Sequence, residues 1–244
     1  MQRSREAQPP REQRSTVQRN AKEEHRAPAA VATLIAMLLY GLLPSDVQPL
    51  WVRLTVVFLS GVLVACVSIL DPKRTRRHRR VFRFASVAVA VVLVLANLVA
   101  LLHTVVLLVT TKPGDGPDLL AAAAQVWSTN LIAFSLLFWE LDRGGPAARR
   151  QFKREDLPPA DFRFPQDEDA DTSREVAEQS APESGWRPSF VDYLYEAAVT
   201  SMSFGPGAGV PVRPRAKLLV TLQGLVSFVL VSLVIAHAVG ALGP

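Results

Sequence analysis

Long uncharged apolar blocks alternate with short, strongly charged ones along the 244 residues, and this alternation restricts the folds open to the chain. Five blocks, Pro28–Leu43, Leu50–Leu70, Val81–Thr110, Leu119–Leu141 and Ala216–Leu242, approach or exceed the roughly 20 residues that cross ~30 Å of hydrocarbon. A soluble core helix buries one stripe and shows a polar residue every third or fourth position. Ala85–Ala96, ASVAVAVVLVLA, has one serine and no charge, so it is apolar on every side. The fold class expected is all-α, a polytopic helical membrane protein with about five transmembrane helices. Pro28–Leu43, at 16 residues, spans only if thinly anchored or extended past Pro44. Val81–Thr110, at 30 residues, must tilt or emerge from the bilayer.

The charged blocks set the orientation. Asp71–Arg83, DPKRTRRHRRVFR, holds seven Arg/Lys in thirteen residues, which the positive-inside rule assigns to the cytoplasm. Anionic lipid headgroups at Lys73–Arg80 are an expected partner beside the bilayer itself, since each such charge attracts them by about 1 kcal/mol. Arg143, Arg149, Arg150, Lys153 and Arg154 follow the fourth block and mark the same side. Thr111–Asp118, TKPGDGPD, reads as an external hairpin. A multi-pass protein of the cell (inner) membrane with a cytoplasmic N-terminus follows. No apolar run directly follows a short basic start, so a cleavable signal peptide is not expected. The net charge of +5 sits at membrane boundaries, so no nucleic-acid partner is expected. Cys66 is the single cysteine, which leaves no intrachain disulfide and no cysteine-based metal cluster.

Composition divides the chain into residues 1–27, a disordered basic tail; 28–141, a four-helix transmembrane region; 142–188, a flexible cytoplasmic linker; and 189–244, a short helix with a final span. The linker expectation rests on Asp156–Glu183, with nine acids against two arginines and prolines at 158, 159, 165 and 182.

Polar side chains within spans are costly and therefore informative. The amides of Asn97, Gln125, Asn130 and Gln223 are expected to form interhelical hydrogen bonds. His103 and His237 fall toward the outer ends of their spans. No catalytic set, metal site or cofactor motif is recognisable, so an enzyme is not expected. The run Trp139-Glu140-Leu141-Asp142-Arg143-Gly144-Gly145-Pro146 reads as a helix exit. Its tryptophan suits the interface, Glu140 and Arg143 are spaced i, i+3, and the two glycines before proline end a helix.

Phe190–Phe204, FVDYLYEAAVTSMSF, is helical in pattern but only ~22 Å long and carries Asp192 and Glu196, so it should be interfacial or re-entrant. The Gly/Pro-rich break Gly205–Pro214 and the span Ala216–Leu242 follow. This order resembles the pore module of the two-span potassium-channel family, in which a pore helix, a Thr-Val-Gly-Tyr-Gly filter, a proline and a basic-started inner helix succeed one another. The resemblance covers about 55 residues. It puts Thr200, Ser201, Met202, Ser203, Phe204 and Gly205 at or beside the filter, followed by Val210-Pro211 and Arg215-Ala216-Lys217. The whole chain also resembles uncharacterised bacterial multi-pass proteins that share the WELDRGGP run. Ser203 and Phe204 stand where the family has glycine and tyrosine, so a potassium-selective carbonyl filter is not expected. The resemblance implies a degenerate ion-channel-like protein, a homo-oligomer with Thr200–Gly205 near its axis. The alternative is a non-conducting scaffold or regulatory protein that binds cytoplasmic partners or anionic lipid.

Overall fold

A computed structural model of the protein describes residues 27–69, 76–111, 117–167, 186–202, 207 and 209–241. The chain is mostly helical. Among the described residues four helices come first, α1 (Ala27–Gly41), α2 (Leu50–Ile69), α3 (Arg76–Thr110) and α4 (Pro117–Leu141). After a 3₁₀ turn at Asp142–Gly144 come α5 (Pro146–Gln151) and a two-residue strand β1 (Phe162–Arg163). Helix α6 (Phe190–Met202), strand β2 (Val210–Pro211) and helix α7 (Pro214–Ala241) complete the order.

Among the described residues three helical segments are long and apolar enough to cross a membrane, Arg83–Thr110 with 28 residues and Asp118–Gly144 and Pro214–Gly240 with 27 each. Ala27–Gly41 and Leu50–Ala65 are apolar but shorter. Helix α3 starts at Arg76, ahead of its apolar block, because nothing in the arginine-rich stretch breaks a helix. The tail 1–26, and the side chains of Lys73–Arg80 expected to meet lipid, lie outside the described residues.

Helices α3 and α4 form the central hairpin, with α1, α2, α6 and α7 packed around it. Two apolar clusters fill the bundle. One gathers Val89, Leu93, Phe134, Phe138, Phe162 and Tyr193. The other gathers Tyr40, Leu101, Val126 and Leu230 toward the opposite end. Gln125 Nε2 donates to Leu39 O at 2.5 Å, the expected interhelical bond. Arg53, near the start of α2, turns back on α1. Its guanidinium donates to Leu43 O, to Gly41 O at 3.3 Å and to Ser45 Oγ at 3.2 Å, and so takes up carbonyls at that helix end.

Residues 142–167 correct the expectation of a flexible linker over 142–188. They fold into a cap on one end of the bundle, while 168–185 lie outside the described residues. The acids that read as solvating are taken up by arginines, and Phe162 and Phe164 are buried against Phe138 and Tyr193. Strand β1 pairs antiparallel with β2, Phe162 opposite Pro211 and Arg163 opposite Val210. The cap therefore ties the end of α4 to the start of α7.

Candidate functional site

The helix exit after α4 is tighter than a simple stop. Arg143, Gly144 and Gly145 all have positive φ, at 50°, 80° and 85°, and Gly145 N–H donates to Asp142 O at 2.8 Å. A Cβ at Gly145 would lie 2.9 Å from Glu140 O, so the close approach needs glycine. Pro146 then starts α5 at a position where its missing N–H is harmless.

This reversal aims Asp142 inward, where it is 0% exposed. Its Oδ1 accepts from the N–H groups of Asp161 at 2.6 Å and Phe162 at 3.2 Å. Its Oδ2 accepts from Arg143 at 2.8 Å and from the Tyr193 hydroxyl at 2.5 Å. One carboxylate thus joins α4, the cap and α6. Burial holds the Tyr193 phenol well above its ordinary pKa, against the opposing pull of Arg149, so it remains a neutral donor.

Arg149, also 0% exposed, donates to Trp139 O at 3.0 Å and Asp142 O at 2.7 Å. Its guanidinium lies 5.4 Å from the Tyr193 ring centroid and 6.0 Å from that of Trp139. Trp139 meets Phe190 edge-on at 6.0 Å. Around this centre Asp167 accepts from Arg143 and Arg154, each at 2.5 Å. Asp161 takes Arg215 in a two-point contact at 2.6 and 2.5 Å. Of the helix-exit residues named from sequence, Trp139, Asp142 and Arg143 are brought together here, and Glu140 is buried beside Gly145. Sequence reasoning missed Arg149, Asp161, Tyr193 and Arg215. The available signal was a basic residue of the same loop seven positions after Asp142.

Helix α6 begins with Ser189, whose N–H and Oγ both donate to Asp192 Oδ2, at 2.7 and 2.8 Å. Asp192 therefore caps the helix. Glu196, one turn on, is buried, and its Oε2 accepts from Gly209 N–H at 2.7 Å. Desolvation raises the Glu196 pKa, opposed by the backbone N–H groups of Gly209 and Gly207. A Cβ at Gly207 would overlap that carboxylate. Further along, Gln223 Nε2 donates to Ala197 O and to Ser201 Oγ, both at 3.0 Å, and Ser227 Oγ lies 3.3 Å from Ser201 Oγ. Gln223 thereby makes the interhelical bonds expected of it.

Of the filter-like residues, Thr200 and Ser201 are buried against α7, Met202 is 66% exposed, and Ser203, Phe204 and Gly205 lie outside the described residues. His103 Nδ1 is 3.2 Å from Gln48 Nε2. Among the described residues no group of three or more His, Cys, Asp or Glu side chains is placed to hold a metal ion. No family model matches the chain, and comparison with curated proteins and with solved structures finds no match.

Proposed function

We propose that the chain is a multi-pass protein of the cell (inner) membrane, with five spans, a cytoplasmic N-terminus and cap, and α6 re-entering from the cytoplasmic side. On this reading it is ion-channel-like, and the α6–α7 module is its working part. The observation that carries the reading is the path of the chain around α6. Phe190 starts beside Trp139 at the cap, and Gly209 and β2 are back at the cap, bonded to Glu196 and β1. Between them Ser201 meets Gln223 and Ser227, which lie nine and thirteen residues into α7, about 14 and 20 Å along its axis at ~1.5 Å per residue. Arg213, Arg215, Lys217 and the basic residues after α4 all gather at the cap end, which supports a cytoplasmic cap.

Thr200 and Ser201 face the interior of the chain, so the route this reading favours runs within one protomer and does not require an oligomer axis. Cysteine labelling at positions 115, 160, 212 and 244 in Cys66→Ser protein tests the topology. Positions 160 and 212 should label from the cytoplasmic side, and 115 and 244 from the other. Labelling of 212 from outside sinks the re-entrant placement. Cation flux into liposomes, reduced by Gln223→Leu, tests conduction. Silence across monovalent cations in both proteins rejects it.

A second reading, lipid or partner binding by a non-conducting scaffold, is favoured by one observation. A cleft of about 440 Å³ opens in the cap, lined by Arg143, Arg154 and Arg163 with apolar walls from Leu157, Pro158 and Val212. The lining sets three guanidinium groups against the one carboxylate of Asp167, a net positive charge that suits an anionic headgroup beside an apolar wall. Retention of phosphatidylglycerol over phosphatidylcholine in native mass spectrometry, weakened by Arg163→Ala, is the expected result; equal retention of both lipids removes this reading.

A further inference from the structure

The two apolar clusters are separated by a belt of polar side chains, each with at least one buried hydrogen-bonding atom that has no partner in the protein. On α2, Ser60 stands between Val56 of one cluster and Leu63 of the other. Asn97 on α3 stands between Leu93 and Leu101, and Asn130 on α4 between Val126 and Phe134. On α7, Gln223 stands between Leu219 and Val226. Asn97 precedes the last residue of α3 by thirteen positions, and Asn130 follows the first residue of α4 by thirteen. In an antiparallel hairpin they are therefore at one depth, about 20 Å from the connection. Thr200, one residue before Ser201 and two before the end of α6, reaches the same level against Gly224.

Ser60, Asn97, Asn130 and Gln223 are 0–1% exposed and Thr200 is 8% exposed. The Oγ of Ser60, both amide atoms of Asn97 and of Asn130, Thr200 Oγ1 and Gln223 Oε1 are buried with no hydrogen-bond partner in the protein. Buried polar groups are nearly always bonded, and each one left bare costs as much as a hydrogen bond lost outright. Five such residues from five helices, at the level where the two apolar clusters meet, are therefore built to receive something. The belt is uncharged and offers both donors and acceptors, the chemistry of water and not of an apolar or anionic ligand. The C-terminal end of α6 is directed at it, and that end of a helix carries partial negative charge.

We propose that Ser60, Asn97, Asn130, Thr200 and Gln223 form a hydrated site in the middle of the bundle, a layer of internal water between the two apolar clusters. Water bound there satisfies two to four groups per molecule and makes the belt the place where a monovalent cation keeps most of its hydration. Its role in conduction rests on the channel-like reading above; its water content does not.

Uniformly ¹⁵N-labelled protein in lipid nanodiscs provides the test by nuclear magnetic resonance. The Asn97 and Asn130 side-chain NH₂ groups should show cross-peaks to water and lose their signals in D₂O long before the backbone amides of Leu93 and Leu101 do. NH₂ groups that keep their signals as long as those backbone amides, or that show cross-peaks only to each other, overturn the proposal. Thermal unfolding is the second measurement. If the belt is dry, Asn97→Leu and Asn130→Leu each remove an unpaired amide and raise the midpoint. If it is hydrated, each strands its neighbours and lowers it. A rise in both overturns the hydrated site. Water cross-peaks together with a silent flux assay uphold the site while removing the conducting reading.

Discussion

Tyr193 donates its hydroxyl to the Asp142 carboxylate at 2.5 Å, across 51 positions of sequence. Both residues are 0% exposed, and the bond fixes the first turns of α6 to the exit of α4. Tyr193→Phe keeps the ring contacts with Phe162 and Phe164 and removes only the donor. The expected loss is about 1.5–3 kcal/mol, that of a hydrogen bond to a charged group. Asp142→Leu leaves Arg143 without one of its carboxylates and should cost more, about 3–5 kcal/mol. Equilibrium unfolding in detergent measures both. Equal costs would mean that the carboxylate does nothing beyond holding Tyr193.

Gly207 is expected to tolerate no side chain while Glu196 is present, because a Cβ there overlaps the carboxylate. Gly207→Ala should destabilise the wild-type background by 1–3 kcal/mol, about the cost of overpacking. In a Glu196→Ala background most of that cost should vanish. A double-mutant cycle with no coupling energy would reject the contact.

Glu196 predicts a pH slope of definite sign. Its pKa in the folded chain is raised above an ordinary value of 4.5 by burial. Between that value and the folded pKa, the folded state holds a proton that the unfolded state has released, so stability falls as pH rises through this window. Glu196→Gln abolishes this contribution, and its benefit should appear on the alkaline side of the window and disappear below pH 4.5. Unfolding midpoints of the two proteins measured against pH decide it. A difference constant with pH would show that Glu196 does not titrate differently on folding.

Arg215 grips Asp161 with two hydrogen bonds but is partly exposed, so Arg215→Ala should cost the global stability only about 0–1 kcal/mol. Its effect should be local. Val212 N–H donates to Asp161 O at 2.8 Å, and its hydrogen exchange should accelerate in the variant while the α3–α4 hairpin exchanges as before. Unchanged exchange at Val212 would mean that β1 and β2 hold the connection unaided.

The helical, membrane-like character was legible because apolar blocks such as Ala85–Ala96 have no polar face, and that property depends only on local sequence. The α6 boundaries were legible for the same reason: Phe190–Phe204 is too short and too acidic to read otherwise. The cap was not legible. Asp161 and Asp167 look like any acids in a proline-rich stretch until Arg215, 54 positions away, and Arg143, 24 positions away, come to meet them. Composition counts charges and cannot pair them. Glu196 illustrates the same limit. Its two partners are backbone N–H groups of glycines, which no pattern of side chains announces. Asn97 and Asn130 were singled out as buried amides, and the expected interhelical bonds are absent at both, which is what makes their level of the bundle informative.

The contact between Asp161 and Arg215 also carries a consequence for biosynthesis. Asp161 leaves the ribosome more than fifty residues ahead of its partner, and Arg215 sits in the first turn of the last helix. Asp161 must therefore wait for its guanidinium partner until α7 is made, while Asp142 and Arg149 find theirs earlier in the chain. Helix α7 then acts as a latch that closes over a cap already bonded at its centre. We expect the Val212 N–H, which donates to Asp161 O, to exchange faster in chains truncated before Pro214 than in the full chain. Equal exchange in both would show that the cap closes without its latch.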